Sequence, residues 1–509
     1  MSGETSINVT VESAPGGAAL GAGASMEGKE SRPKQVIGDR RGSGSSVAWV
    51  VAMVAAMIGC AGFAFANGTV APLMLAFFLG ILGLGSAATC FRIGSWEVRA
   101  FALTYGACLM AGGGSQFYAE LVTGTLQNAS DSGTFFEFSK DGLTGETLDD
   151  LRLTINAPGA VLIWQTLYSL IIRLRMPPGP WAGVILNAAV VGWSAVMIVA
   201  TARAVFGSDD WRLRRVAMLC GSCGMFWLFG GVFVRDCFAL FANSLIVWAL
   251  VRVLARGSLG SLALLGAVGL AYWLTMREIR GAATMLMLLF FGVAAGAWLV
   301  ASRAGVLARG VIGSLVAGAL VLVILNAVKV VEIFDVSSLA ADAYIGLGAD
   351  STGRDSVGAG LLTSSNPLIR VSAGVLFLHL LPVPLWSGFE FGGSEYLWLK
   401  SFQGIFMALL LPLTLTGIVG VFTDDRRRRG KNYSATLFLA FVPLAATVLV
   451  AMTSMETRHH GQFLAAYLIL AAVPKPGHSE DIATLKRIQM GWFSIVVLIH
   501  AVWLLLKFR

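Results

Sequence analysis

From residue 46 onward the chain alternates long apolar runs with short polar ones. SVAWVVAMVAAMIGCAGFAFAN (46–67), AATMLMLLFFGVAAGAWLVAS (282–302) and VIGSLVAGALVLVILNAV (311–328) approach or pass the ~20 residues that a helix needs to cross a bilayer. Backbone polar groups in lipid have to be satisfied within the segment, so these runs predict helices. The pattern predicts an all-α, polytopic membrane protein with thirteen spans: 46–66, 70–91, 98–112, 180–202, 214–233, 237–253, 258–276, 282–302, 308–328, 402–422, 435–452, 463–474 and 489–506. Two further apolar stretches, 161–174 and 373–386, are too short or too rich in nearby proline to cross. They are expected to lie in or dip into the interface.

Residues 1–45 break the pattern. They are rich in Gly, Ser and Ala with no apolar period, which predicts a disordered tail ahead of a transmembrane domain at 46–509. The polar lead is too long for a cleaved signal peptide, so the first run is expected to be a retained anchor.

Composition strengthens the membrane assignment: 56% of the 509 residues are hydrophobic and only 13% charged, and the mean hydropathy is +0.75. The formal charge of +8 is spread over short loops rather than gathered in a patch, which argues against a nucleic-acid partner and for cytoplasmic loops rich in Lys and Arg. With the tail in the cytoplasm, Arg92, Arg99, the WRLRR of 211–215, Arg252, Arg256, Arg303, Arg309, the DDRRRR of 424–429, Lys486 and Arg487 all fall on the inner side. All six cysteines lie in or at the ends of apolar runs, so no disulfide framework is expected, and the CGSC at Cys220–Cys223 is expected to be packing rather than a redox or metal site.

The same topology leaves two long outer loops, 113–179 and 329–401, and three short charged ones: VRDC (234–237), MREIRG (276–281) and METRHH (455–460). Arginine is disfavoured on the outer face. At headgroup level its planar, permanently charged fork suits phosphate oxygens. Arg235, Arg277, Arg280 and Arg458 are therefore the candidate phosphate ligands, with Asp236, Glu278, Glu456, His459 and His460 as supporting groups. The first outer loop carries Asp131, Glu137, Asp141, Glu146, Asp149 and Asp150; a carboxylate there near Phe135 and Phe136 suits a general base toward a hydroxyl. No Walker A, HExxH or dinucleotide motif is present. A divalent metal held by the acidic loop is left open, with no second ligand set in view.

Over roughly residues 115–475 the order of pieces resembles the bacterial polytopic membrane glycosyltransferases of the GT-C type, especially their O-antigen or exopolysaccharide polymerase-like relatives from cell-surface polysaccharide loci. The matching pieces are DSGTFFEFS (131–139), INAPGAVLIWQTLYSLIIRL (155–174), VILNAAVVGWSAVMIVATARAVFG (184–207), LFGGVFVRDCFALF (228–241), MREIRG, PVPLW (382–386) and Arg458-His459-His460. The resemblance implies Asp131 as the catalytic carboxylate, with Glu137 in reserve. It also implies a polyprenyl-(pyro)phosphate-linked sugar donor and a glycan or lipid acceptor, met at the outer face of the cytoplasmic membrane in cell-surface glycan synthesis. The chain departs from the pattern in lacking a proline after Arg277, in having His460 where a second basic residue is expected, and in two extra spans before the acidic loop. A transporter or flippase of lipid-linked sugars and a non-catalytic membrane scaffold are the alternatives. The proposed spans carry no ionisable group at their centres except His500, which counts against a carrier.

Overall fold

The computed structural model describes residues 44–124, 132–140, 158–256, 258–280, 367–380, 382–389, 394–424, 432–453, 457–475 and 477–508. Every regular element among them is helical. Six helices are long and apolar enough to cross a membrane: Ser46–Asn67, Ala71–Cys90, Pro180–Phe206, Asp236–Arg256, Glu395–Thr423 and Ser479–Leu505. The expected spans at 282–302 and 308–328 lie outside the described residues.

The helices begin and end where their chemistry dictates. α1 (Gly44–Asn67) and α2 (Ala71–Cys90) are separated by a tight polar link, and Pro72 sits at the start of α2, where its missing N–H costs nothing. α3 spans Trp96–Thr123 and closes on Gly124 in the left-handed conformation. It therefore runs well past the expected end at residue 112 and takes in the start of the loop expected at 113–179. That loop also holds α4 (Ser132–Lys140) and α5 (Gly159–Arg173). α5 buries Ala160, Val161, Trp164, Tyr168 and Ile171 on one face and exposes Ile163, Leu170 and Ile172 on the other. At 15 residues it is about 22 Å long, too short to span.

α6 (Pro180–Phe206) is the central post, with most of its residues buried. The expected span at 214–233 is two helices, α7 (Asp210–Ser222) and α8 (Gly224–Gly231), broken at Cys223. The break lets Gly224 meet a neighbouring backbone: a Cβ there would lie 2.7 Å from the Gln403 Cα. α9 (Asp236–Arg256) and α10 (Leu259–Arg280) form a packed pair. The apolar stretch expected at 373–386 is helical earlier, as α11 (Pro367–Leu380), and gives way to turns at its prolines.

α12 (Glu395–Thr423), α13 (Tyr433–Thr453), α14 (Thr457–Gly461), α15 (Leu464–Leu470) and α16 (Ser479–Lys507) complete the order. α15 corrects an expectation. The run 463–474 yields a helix of only 7 residues, about 10 Å long, fully buried rather than a membrane-length span. Its flanks are fixed by tertiary bonds. At one end the Gln462 side chain bonds Asp236, and at the other Arg212 and Arg215 donate to the carbonyls of Val473 and Pro474 at 3.1 and 3.3 Å.

Two polar ends result, separated by the length of α6, about 40 Å for its 27 residues. At one end Arg203 clasps the fully buried Glu97, Trp96 donates to Asp210, and Asn432 donates to the carbonyls of Ala204 and Val205. At the other end lie Asn67, bonded to Gln116, and Gly179, whose carbonyl accepts from Tyr168. The sequence put the basic loops near 99 and 211–215 on the opposite side from VRDC and METRHH, and the structure separates them in the same way.

Candidate functional site

The second polar end is organised by a gap in helical backbone. α8 stops at Gly231, Val232 is extended (φ −124°, ψ 153°), and helix resumes at Asp236. Carbonyls in such a strap lose their helical donors and need others. Asn187, fully buried on α6, supplies them: its Nδ2 donates to the carbonyls of Val232 and Val234, each at 3.1 Å, while its Oδ1 accepts from Trp164 Nε1 at 3.0 Å. The two carbonyl partners require the NH₂ on that side, which fixes the amide orientation. Phe233 is seated over Gly183, where any Cβ would enter its ring.

Around the strap the aromatic residues of α4 and α5 close together. Trp164 lies 4.2 Å from the Phe233 ring, Phe135 5.7 Å from Trp164, and Phe136 5.7 Å from Tyr168. The Phe135–Phe136 pair is thus a packing device that seats α4 on α5. It also receives cations: the Arg235 guanidinium carbon stands 5.7 Å from the Phe135 ring centre, and Lys140 Nζ 5.9 Å from that of Phe136. Stacking on a ring face orients a guanidinium without consuming its N–H donors.

Asp236, in the first turn of α9, is 2% exposed. Gln462 Nε2 donates to its Oδ1 at 2.8 Å across 226 residues of sequence. The Gln462 carbonyl in turn accepts from Asn243 Nδ2 at 3.4 Å, and Tyr272 Oη donates to Asn243 Oδ1 at 2.8 Å. This chain of bonds joins α9, α10 and the turn after α14. Asn243 lies about 10 Å along α9 from Asp236, and Arg277 to Arg280 lie about 8 to 12 Å along α10 from Tyr272. The two helices follow one another across a short link and run antiparallel, so the end of α10 that carries Arg277, Glu278 and Arg280 comes level with Arg235 and Asp236. The side chains of those three residues are outside the described set.

α14 packs against α9, α11 and α13. It splits the histidine pair: Arg458 and His459 are half-buried, while His460 turns inward and is 2% exposed. His460 Nε2 stands 2.7 Å from Tyr467 Oη and 3.2 Å from Thr447 Oγ1. Tyr467 Oη also lies 3.4 Å from His379 Nε2 and donates toward the Pro443 carbonyl. His379 Nδ1 sits 2.8 Å from the Val375 carbonyl, so that nitrogen carries the proton and Nε2 accepts. Burial, and for His460 the neighbouring His379, hold both imidazoles below their usual range, His460 well below it. His460 is therefore a neutral internal strut rather than a charged donor beside Arg458.

Of the residues singled out from sequence, the structure gathers Arg235, Asp236 and the α14 segment with Arg458, His459 and His460, and places α4 with an exposed Glu137 beside them. Asp131 and Glu456 lie outside the described residues. Sequence reasoning missed Asn243, Tyr272, Gln462, His379 and Tyr467, and met Asn187 only as an Asn near the start of the 184–207 segment, without a role. The signal available for the two asparagines was an amide inside an otherwise apolar run. His500, the ionisable group near the centre of a proposed span, accepts from the Leu385 N–H at 3.1 Å and so ties α16 to the turns after α11.

Among the described residues no three His, Cys, Asp or Glu side chains group closely enough to hold a metal ion. Cys220 and Cys223 are free and buried. No protein-family model and no curated protein matches the chain.

Proposed function

We propose that this multi-pass membrane protein is a glycosyltransferase or polysaccharide polymerase of the GT-C type, which uses a polyprenyl-(pyro)phosphate-linked sugar at the outer face of the cytoplasmic membrane to build a cell-surface glycan. In this reading the N-terminal tail is cytoplasmic and the chain crosses the membrane about thirteen times, one crossing being made by the short buried α15 rather than by a membrane-length helix. The observation that carries the reading is the bonded contact between Asp236 and Gln462 at one end of the bundle. It brings the Arg235–Asp236 strap together with the segment that bears Arg458. A stacked, half-buried arginine next to a second arginine-bearing turn at headgroup level suits a lipid phosphate, because charge developing on the leaving phosphate is met by donors already in place. Arg277 and Arg280 at the end of α10 add to the same face. The acceptor supplies a hydroxyl, and a carboxylate at this end takes its proton; the donor's activated bond supplies the driving force.

The test is turnover of lipid-linked oligosaccharide extracted from producing cells, followed as released polyprenyl (pyro)phosphate. Arg235→Ala and Arg458→Ala should each lower kcat by about 10²–10³-fold, the loss expected when one preorganised donor to a developing anion is removed, while membrane insertion is retained. Full activity in both variants would remove the phosphate-binding role.

A flippase of lipid-linked sugars is the second reading. Its support is the interrupted helical path α7–α8–α9 with the short, buried α14 and α15, a form that carriers use to line a substrate path. The same assay separates the two, because a flippase moves the donor with its sugar–phosphate bond intact.

A further inference from the structure

Within the glycosyl-transfer reading, the acidic outer loop drew attention from sequence as the source of the catalytic carboxylate. The geometry points elsewhere: we infer that Asp236 is the catalytic base that takes the proton of the acceptor hydroxyl, and that Gln462 is the residue that positions it. This rests on the transfer reaction proposed above.

A general base has to be held within hydrogen-bond reach of the proton it abstracts, in one orientation. Glu137 is exposed on the nine-residue α4, free to sample several rotamers. Asp236 has neither freedom. It is almost wholly enclosed, its Oδ1 is gripped by Gln462, and the Gln462 backbone is itself held by Asn243 and Tyr272. The first turn of α9, with its outward-pointing N–H groups, stabilises the ionised form. Arg235 is the preceding residue in the strap that Asn187 holds rigid. The candidate base and a candidate phosphate ligand thus sit on consecutive residues of one fixed backbone.

The step balances as follows. The acceptor hydroxyl loses its proton to the Asp236 carboxylate as its oxygen forms a bond to the donor's anomeric carbon. The bond from that carbon to the phosphate oxygen breaks, and its electron pair leaves with the phosphate, whose charge the Arg235 and Arg458 guanidinium groups meet. Asp236 then returns its proton to water.

The titratable or charged groups on the elements around Asp236 are Arg235 on the strap, Arg458, His459 and His460 on α14, Tyr272, Arg277, Glu278 and Arg280 on α10, and Glu137 and Lys140 on α4. The experiment uses the full chain in lipid nanodiscs with lipid-linked oligosaccharide extracted from producing cells, reading released polyprenyl (pyro)phosphate. Asp236→Asn keeps a hydrogen bond, since the Gln462 amide can rotate to accept from the new NH₂. The thermal midpoint and KM should stay near wild type, and kcat should fall by about 10³-fold, within the range for loss of a general base. Glu137→Gln tests the rival carboxylate, and a larger loss of kcat there than in Asp236→Asn would overturn the assignment. The double variant Asp236→Asn with Gln462→Glu restores one carboxylate and one hydrogen bond to the pair but moves the charge, and it should not restore kcat.

A second measurement does not depend on Asp236→Asn folding. Gln462→Glu sets a carboxylate against Asp236, so the two share a proton and the acidic limb of the kcat profile should move to higher pH by at least about one unit. Asp236→Asn retaining a tenth or more of wild-type kcat, recovery in the double variant, or an unmoved acidic limb in Gln462→Glu would each overturn the assignment. Wild-type protein that releases no polyprenyl (pyro)phosphate would instead sink the transfer reading on which it rests.

Discussion

At the scale of single residues, the site end is held by amides and imidazoles with almost every polar atom engaged. Asn187 is the clearest case. Its replacement by Ala would strand two carbonyls and the Trp164 N–H, each unsatisfied buried group costing about 1–3 kcal/mol. Asn187→Ala should therefore lower stability by about 3 kcal/mol or more, read as a lower thermal midpoint in detergent, and should free the Arg235 strap. His379 and His460 make stability depend on pH. Both are held neutral in the folded protein, so below the ordinary imidazole value of ~6.5 the unfolded chain binds protons that the folded chain refuses. Their contribution is complete above that value and is lost as pH falls toward the depressed folded values. The thermal midpoint should drop between pH 7 and 5, and less steeply in His460→Gln. A pH-independent midpoint over that range would contradict the neutral-strut assignment.

At the scale of elements, close approach decides which helices can pair. α1 and α3 meet backbone to backbone, where any side chain at Gly59 or Gly113 would enter the opposing main chain and a Cβ at Gly106 would lie 2.5 Å from the Ala52 carbonyl. In lipid such contacts are the main source of helix association, because apolar side chains gain nothing by leaving lipid tails for one another. Gly106→Leu should cost about 1–3 kcal/mol through overpacking. Gly85→Leu on α2, where nothing lies within 4 Å, should be neutral; equal midpoints for the two variants would refute the seam. Elements also show where periodicity misleads. The run 463–474 is as apolar as a crossing but too short, and its flanks are bonded to Asp236 on one side and to Arg212 and Arg215 on the other, so it folds as a buried link.

At the scale of the whole molecule, the charge asymmetry of the loops maps onto two ends of one helical bundle. In a Cys90→Ser background, His459→Cys and Glu137→Cys should react with a membrane-impermeant maleimide from the same side of sealed vesicles, and Lys486→Cys only from the other. Labelling of the first two from opposite sides would dismantle the shared site.

The apolar runs alone determined that the chain is helical and membrane-embedded, because length and hydropathy set what a bilayer accepts. The loop charges alone grouped VRDC and METRHH on one face. What tertiary structure decided were the relations between distant polar groups: Asn187 with the strap carbonyls, Gln462 with Asp236, and His460 turned inward while Arg458 and His459 stay half-buried. No local pattern encodes those pairings. A buried amide finds its partners only when helices far apart in sequence pack together, and until then an asparagine in an apolar run looks the same whether it clamps a functional strap or caps an ordinary turn.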